Sequence, residues 1–338
     1  MQKKFAVVFV LFLNGLAEVL PCCAAKVAVA GMAAPDAGPA GAYPSRPIRI
    51  IVGFPPGSGT DMLARFVGGK LTDRLKHPVI VDNRPGANGI IASELTVKAA
   101  ADGHTLQFMS TSHTMNAAVY TLPFDPVMSF TPVTMLGAGP LVLVTQPAFA
   151  ANSVKELIDL AKRNPKTITY AISGTGGINH FAGALFSRIA RIDLMDVPYR
   201  GGPQALTDVI AGQVQVMFAT LAITHMQVRA GKLKALGVSS TKRTPLLPDV
   251  PTISESGVRG YEMNIWWGVL GPRGVPGTVV EKLTRQIGGV LREPGSAQHL
   301  EAQGAEPSPM SSAQFARVLA SEVETWRRVA REANIKAE

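Results

Sequence analysis

A glycine-rich turn between a strand and a helix constrains the fold of this chain most. The apolar strand 48–52 runs into Gly53-Phe-Pro-Pro-Gly-Ser-Gly59 and then into a helical pattern. Glycine adopts positive φ without a steric penalty, and the first turn of a helix presents unpaired N–H groups at its positive end. The segment is therefore typical of an anion-binding turn, although a turn that holds no ligand has the same pattern. A nucleotide P-loop would continue Gly-Lys-Ser/Thr, and Gly59-Thr60-Asp61 argues against triphosphate binding.

The same pattern occurs a second time. The β-branched strand 168–172 leads into Ser173-Gly-Thr-Gly-Gly177 and a helix that either Gly177 or Asn179 caps. Ligands of open α/β sheets bind at the carboxyl ends of the strands, which is where both turns lie. We therefore expect the two turns to face each other across a ligand site.

Strands and helices alternate along most of the chain, which predicts an α/β fold of parallel βαβ units. The predicted strands are 48–52, 79–81, 105–109, 133–145, 168–172, 195–198, 214–218, 234–238 and 261–270, and the predicted helices are 61–75, 90–100, 153–163, 178–190, 203–211, 224–230, 276–292 and 311–332. The proline-rich stretch 244–251 is expected to be a surface loop.

The last two helices need a sheet to cover, so we expect the chain to leave a first domain, build a second, and return. The crossovers are predicted near 141–145 and 264–269. Domain 1 would then comprise 43–143 plus 266–338, and domain 2 would comprise 144–265. Such a double crossover predicts a hinge, with the ligand cleft between the domains.

The N-terminal segment predicts export. Lys3 and Lys4 precede the apolar run 5–16, which is too short to span a membrane, and small residues follow. Residues 1–42 are therefore expected to be a signal peptide and a flexible segment, and the mature protein is expected in the periplasm. Both cysteines, Cys22 and Cys23, lie in this segment, so the folded part has no disulfide, thiol nucleophile or cysteine metal site; a lipid anchor there is the alternative.

The formal net charge of +9 favours anionic ligands weakly. The basic residues are scattered, with no long run and no interleaved aromatic residues. Nucleic acid is therefore not expected as a partner.

Five further phrases accompany the two glycine turns. They are Asn83-Arg-Pro-Gly-Ala-Asn-Gly89, Ala101-Asp-Gly-His-Thr-Leu106, Val197-Pro-Tyr-Arg-Gly-Gly202, Ala205-Leu-Thr-Asp-Val-Ile-Ala-Gly-Gln-Val214 and Pro248-Asp-Val-Pro-Thr252. With them, the chain from about residue 43 to residue 335 resembles the Bug-type solute-binding receptors of tripartite tricarboxylate transporters.

The resemblance implies a periplasmic binding protein of type II-like fold, with two α/β domains joined by two crossover strands. It would close on a small organic carboxylate and deliver it to membrane transporter subunits. It would act as a monomer, without a cofactor, a metal or catalysis.

In this family the ligand carboxylate is held largely by backbone N–H groups and ordered waters. The resemblance therefore implies three walls of a binding site: a first clamp of Phe54, Gly57, Ser58, Gly59, Thr60 and Asp61; a second clamp of Ser173, Gly174, Thr175, Gly176, Gly177 and His180; and a third wall of Ser110, Thr111, Ser112 and His113. Asp208 is expected to meet a ligand amino or hydroxyl group. Where many relatives carry Gly-Gly-Gly, this chain has Gly57-Ser58-Gly59, and Pro203-Gln204 replaces a small residue plus proline, which bears on the identity of the ligand.

Catalytic readings of the same residues have weaker support. Neither His113 nor His180 belongs to a pair with metal-ligand spacing, so a hydrogen-bonding role is expected for both. Ser173 beside Gly174 resembles a nucleophile elbow, but Gly-x-Ser-x-Gly would need a glycine where the chain has Ala171. The alternatives to a transport receptor are a ligand-sensing input protein and, with less support, a secreted hydrolase.

Other residues near the expected site have two readings each. Asp61 either complements the helix N-terminus or contacts the ligand. Arg200 either pairs with a distal carboxylate or is solvated. Trp266 and Trp267 are adjacent in a strand, so at most one of them is expected to line the cleft.

Overall fold

A mixed sheet flanked by helices forms the part of the chain that the computed structural model describes, residues 43–333 and 335–336. The strands are β1 (Ile48–Val52), β2 (Val79–Asn83), β3 (Thr105–Ser110), β4 (Phe130–Thr145), β5 (Thr169–Ile172), β6 (Met195–Pro198), β7 (Val216–Thr220), β8 (Lys234–Val238), β9 (Asn264–Pro272) and β10 (Glu306–Pro307). The α-helices are α1 (Gly59–Leu75), α2 (Ile90–Val97), α3 (Ser112–Val119), α4 (Val154–Arg163), α5 (Ile178–Ala190), α6 (Gly202–Ile210), α7 (Leu221–Arg229), α8 (Gly277–Leu291), α9 (Ser296–Ala302) and α10 (Ser312–Glu332). The predicted α/β class is confirmed.

The strand order is β2-β1-β3-β9-β4-β7-β5-β6, and β8 and β10 also pair with β4. β1 is parallel to β2 and β3, and β5 is parallel to β6 and β7. The prediction of parallel βαβ units is confirmed for these strands and is wrong for β4, β8 and β9, which pair antiparallel. β4 takes the chain away from the first strands and β9 returns it, so these neighbours run in opposite directions.

The long strand β4 is shared by two groups of strands. Residues 130–140 pair with β9, whereas residues 141–145 pair with β7 and β8. We call the part of the molecule on the β9 side, residues 43–140 and 264–336, the first half. Residues 141–263 are the second half.

Helix α1 shows how the predicted pattern produces the local structure. The Ser58 side chain caps its N-terminus by accepting a hydrogen bond from the Asp61 N–H, and left-handed Lys76 ends it. Leu63, Val67 and Leu71, spaced by four residues, are all buried. Burying side chains of this size stabilises a fold by about 1.5–3 kcal/mol each, so the helix is held firmly against the sheet.

Every predicted strand and helix occurs, with ends shifted by a few residues, but α3, α9 and β10 were not expected. Helices α3 and α9 are short, and the sequence of α3, Ser-His-Thr-Met-Asn-Ala-Ala-Val, lacks an apolar stripe. Neither tryptophan lines a cleft, because Trp266 is 4% and Trp267 is 1% exposed. Phe315 of α10 packs edge-on against Trp266, so α10 covers the face of β9 that carries Trp266.

The expected signal segment, residues 1–42, lies outside the described residues. Within residues 43–333, no helix combines the length and the apolar content that crossing a membrane requires.

Candidate functional site

The two glycine turns and the third wall meet at one small cavity of about 50 Å³, which we call the inner chamber. Its lining comes from both halves of the molecule. It comprises Phe54, Ser58, Gly59, Thr60, Ser110, Ser112, Ser173, Ile178, Asn179, Gly202, Met217, Thr220, Ile223 and Ile265. The structure therefore brings together the ends of segments that are more than 50 residues apart in the chain.

Five helices begin at the inner chamber. Its lining includes the first residues of four helices and the N-cap residue of a fifth: Gly59 of α1, Ser112 of α3, Ile178 of α5, Gly202 of α6 and Thr220 before α7. Each helix N-terminus carries a partial positive charge and unpaired N–H groups. The chamber is therefore electropositive and rich in donors, although no lysine or arginine lines it.

The first turn is held in place by Asp61. Its carboxylate accepts hydrogen bonds from the Gly57 N–H at 2.9 Å and from Asn83 Nδ2 at 2.8 Å, and it forms an ion pair with Arg65 at 3.0 Å. Burial alone would raise the pKa of Asp61, but the hydrogen bonds from Asn83, Arg65 and Gly57 outweigh burial and lower that pKa. The ionised side chain is thus occupied in shaping the turn and does not line the chamber.

In the third wall, Ser110 and Ser112 line the inner chamber but the residues beside them face elsewhere. The Thr111 hydroxyl accepts a hydrogen bond from the backbone N–H of Trp266 at 2.9 Å. His113 is 5% exposed, and its Nε2 lies 2.7 Å from the Pro126 carbonyl oxygen. Burial lowers the pKa of His113 to about 4, so the ring is neutral at pH 7.

The second turn contains two glycines in conformations that other residues rarely adopt, Gly174 at φ +124° and Gly176 at φ +72°. The Gly177 N–H donates to the Gly174 carbonyl oxygen at 3.1 Å, and Gly177 is the N-cap of α5. The Gly176 N–H donates to Nδ1 of His180 at 3.1 Å. Burial lowers the pKa of His180, which favours the neutral ring that this bond requires.

A larger cavity of about 450 Å³, the outer chamber, adjoins the inner one. Phe54 and Ser173 line both, so they mark the boundary between the two. The outer chamber also includes Tyr199 and Arg200, and among the described residues Arg200 forms no ion pair. A cation is therefore available in the outer chamber.

The expected site residues divide into three groups. Phe54, Ser58, Gly59, Thr60, Ser110, Ser112 and Ser173 line the inner chamber. Gly174 and Thr175 line the outer chamber. Gly57, Asp61, Thr111, His113, Gly176, Gly177, His180 and Asp208 line neither. Asp208 lies behind Tyr199, whose hydroxyl donates to the Asp208 carboxylate at 2.9 Å.

Sequence reasoning missed several lining residues, chiefly Asn179, Gly202 and Thr220 of the inner chamber and Asn88 of the outer one. Thr220 ends β7, so the rule that ligands bind at the carboxyl ends of strands points to it as well. Gly202 and Asn88 lie in two of the phrases that accompany the glycine turns.

The lining does not assemble a nucleophile and a base. The Ser173 hydroxyl bonds to Asn179 Oδ1, while His180 faces Gly176. No group of three histidine, cysteine, aspartate or glutamate residues within the described chain is arranged to hold a metal ion.

A recess of about 590 Å³ lies along the other side of α5, but it has a different character. It is lined by charges of both signs, and Arg188 and Glu332 neutralise each other at 2.6 Å. His180 and Ser187 of α5 contribute to its lining, whereas the N-terminal residues of that helix point into the inner chamber. We therefore assign the candidate site to the inner and outer chambers.

Comparison with known proteins gives an independent result. The sequence profile of the tripartite tricarboxylate transporter family receptor matches residues 63–335. The protein BugT of Bordetella pertussis is 34% identical over 313 residues, which cover 92% of this chain and 95% of BugT.

Two solved structures share the fold. The Rhodopseudomonas palustris protein Rpa4515, solved with adipate, has a TM-score of 0.84 and 32% identity, and the match covers 87% of this chain and 100% of the other. MatC of the same organism, solved with bound malate, has a TM-score of 0.81 and 28% identity over 85% of this chain and 99% of the other.

Proposed function

We propose that this chain, which belongs to the tripartite tricarboxylate transporter family of receptors, binds a small organic carboxylate in the inner chamber. The observation that carries the proposal is the convergence of five helix N-termini on one cavity that both halves line. A carboxylate is a small anion that accepts several N–H bonds at once, which is what such a cavity offers. Each helix N-terminus stabilises a nearby anion by about 0.3–1 kcal/mol, and by up to about 2 kcal/mol where it is partly buried.

The outer chamber suits the rest of the ligand. The inner chamber, at about 50 Å³, has room for little more than a carboxylate head, and the outer one, at about 450 Å³, has room for a short chain. Arg200 in the outer chamber offers a charge-assisted bond to a second carboxylate. Adipate and malate, named in the two related structures, both carry two carboxylates, which supports a dicarboxylate here as well.

We further propose that the receptor resides in the periplasm, acts as a monomer and passes its ligand to membrane transporter subunits without changing it. The predicted signal segment supports export, and the family supports the transporter partners. The absence of a catalytic arrangement in the described lining supports binding over turnover. The two halves would act as domains, 43–143 plus 266–338 and 144–265, that close on the ligand.

A thermal-shift screen tests the carboxylate proposal. Purified protein is heated with a panel of mono- and dicarboxylates, each paired with its primary amide, because the amide keeps the shape and removes the charge. We expect at least one acid to raise the Tm by several degrees, and its amide to have little effect, since saturating ligand adds RT ln(1 + [L]/Kd) to stability. Stabilisation by the amides as strong as by the acids would contradict the proposal.

Two assays separate the alternative functions. A secreted hydrolase would cleave chromogenic esters at a rate proportional to protein concentration, and no such rate is expected here. A sensor input protein would bind the same ligand but would not restore uptake when added to membranes that contain the transporter subunits.

A further inference from the structure

Residues of the first half of the molecule contact the second turn across the cleft. Tyr120, the residue that ends α3, donates its hydroxyl to the Thr175 carbonyl oxygen at 2.8 Å. This hydrogen bond joins a residue of the first half to the middle of the turn. Tyr120 was not among the residues expected at the site.

Gly176 of the same turn packs closely against Tyr120 and Val119. A Cβ atom on Gly176 would lie 3.1 Å from the Tyr120 ring and 3.2 Å from Val119. The turn therefore presses its backbone against the end of α3, with no space for a side chain between them.

Asn88 holds the turn from another direction. A Cβ atom on Gly177 would lie 3.0 Å from Asn88 Oδ1, and one on Gly174 would lie 3.6 Å from Asn88 Cβ. Asn88 itself has left-handed backbone dihedrals, with φ +51°. Its side chain thus lies directly against the backbone at both ends of the turn.

The orientation of the Asn88 amide is fixed by its neighbour. Asn116 Nδ2 donates to the Asn88 carbonyl oxygen at 3.0 Å, so Asn116 Oδ1 is left to accept from Asn88 Nδ2 at 2.8 Å. Asn88 Oδ1 must therefore face the second turn, where it is buried and finds no donor among the described residues.

The turn has little to hold it from its own half. Its own half supplies the hydrogen bonds of the Gly177 and Gly176 N–H groups and the bond of the Ser173 hydroxyl to Asn179 Oδ1. Three of its five residues are glycine, which is costly to order. We propose that Tyr120 and Asn88 are positioning residues, which fix the second turn in the shape that presents its backbone to the ligand. The inference rests on the proposed function for its consequence, because a turn whose shape depends on contact with the first half couples ligand binding to closure.

Hydrogen exchange, measured without and with ligand, tests the positioning directly. Tyr120→Phe removes one hydroxyl, and Tyr43→Phe is its matched control, because the Tyr43 hydroxyl donates to the Gly103 carbonyl oxygen at 2.6 Å within the first half. We expect the hydrogen-bonded amides of Gly176 and Gly177 to exchange about two- to tenfold faster in Tyr120→Phe, the range that one net hydrogen bond supports, and to be unchanged in Tyr43→Phe. The measurement is repeated with each carboxylate of the panel, because the proposed closure on the ligand brings Tyr120 and Thr175 together. Unchanged exchange in Tyr120→Phe under every condition would overturn the proposal, whether or not any carboxylate binds.

Dissociation kinetics test the consequence for the ligand. Asn88→Gly removes the amide but tolerates the left-handed backbone, so strain is not the cause of its effect. For the carboxylate that stabilises the wild type most, both Tyr120→Phe and Asn88→Gly should raise the dissociation rate about three- to tenfold and change the association rate by less than about twofold.

The two failures are distinguishable in this design. If no carboxylate binds the wild type, the proposed function fails and the exchange measurement still decides the positioning. If a carboxylate binds and dissociates at the same rate from the wild type and both variants, the positioning role is refuted and the proposed function stands.

Discussion

Replacing Gly176 by alanine should damage binding more than folding. Gly176 has φ +72°, and a non-glycine residue in the left-handed region costs about 1–2 kcal/mol. Alanine also restricts the unfolded chain, which returns about 0.4–1 kcal/mol. The new Cβ would stand 3.1 Å from Tyr120 and 3.2 Å from Val119, so the turn or α3 must shift by a few tenths of an ångström.

Gly231→Ala isolates the effect of that shift. Gly231 has nearly the same dihedral, φ +68°, but nothing lies within 4 Å of its Cβ position and it lines neither chamber. The left-handed dihedral alone should therefore cost each variant about 1 kcal/mol of unfolding free energy. Only Gly176→Ala should also weaken carboxylate binding, by at least tenfold, or about 1.4 kcal/mol.

Urea denaturation gives the stability of both variants, and titration calorimetry gives their affinities. Gly176→Val should be weaker still, because β-branching adds to the clash. Unchanged affinity in a folded Gly176→Ala would refute the reasoning, and so would an equal loss of affinity in Gly231→Ala.

Three further predictions concern buried groups and turnover. Burial raises the pKa of Glu322 above its usual value near 4.5, so the free energy of unfolding of the wild type should fall as the pH rises from there. Glu322→Gln should lose less unfolding free energy between about pH 4 and 8, as measured by urea denaturation. Burial lowers the pKa of His113 to about 4, so stability should fall as the pH drops from about 6.5 to about 4, and His113→Gln should flatten that part of the Tm profile. Mass spectrometry after prolonged incubation should recover the ligand unchanged, and a new product formed in proportion to protein would contradict a pure receptor.

Local sequence patterns predicted the elements that hold the site. The two glycine turns could be placed after strands because the whole pattern lies within about 20 residues of each turn: β-branched residues, then glycine, then an apolar stripe. That placed Gly59 and Ser173 correctly at the carboxyl ends of β1 and β5.

Contacts between distant segments were beyond the same reasoning. Tyr120 meets Thr175 across 55 residues, and Asn88 meets Asn116 across 28, so no periodicity connects them. The tryptophans show a further limit of local patterns. Strand alternation allowed at most one of them to line the cleft, and in the structure Phe315 of α10 packs on Trp266 and a Trp266 Nε1–H bond to Glu322 at 2.8 Å holds the indole inside.

Polar residues in the turns have two possible roles, which are to shape the turn or to contact the ligand. Asp61 and His180 both belong to the clamp segments, yet each uses its side chain to hold a glycine N–H of its own turn. Sequence alone does not distinguish a residue that shapes a binding turn from one that touches the ligand, because both need a polar group at the same place.

The most direct test of the account is a crystal structure of the protein with the carboxylate that stabilises it most. The account predicts one carboxylate group in the inner chamber, with its oxygens about 3 Å from backbone nitrogens or hydroxyls of both the first and the second turn. A carboxylate bound instead in the recess beside Arg188, with the inner chamber unoccupied by ligand, would contradict the central claim.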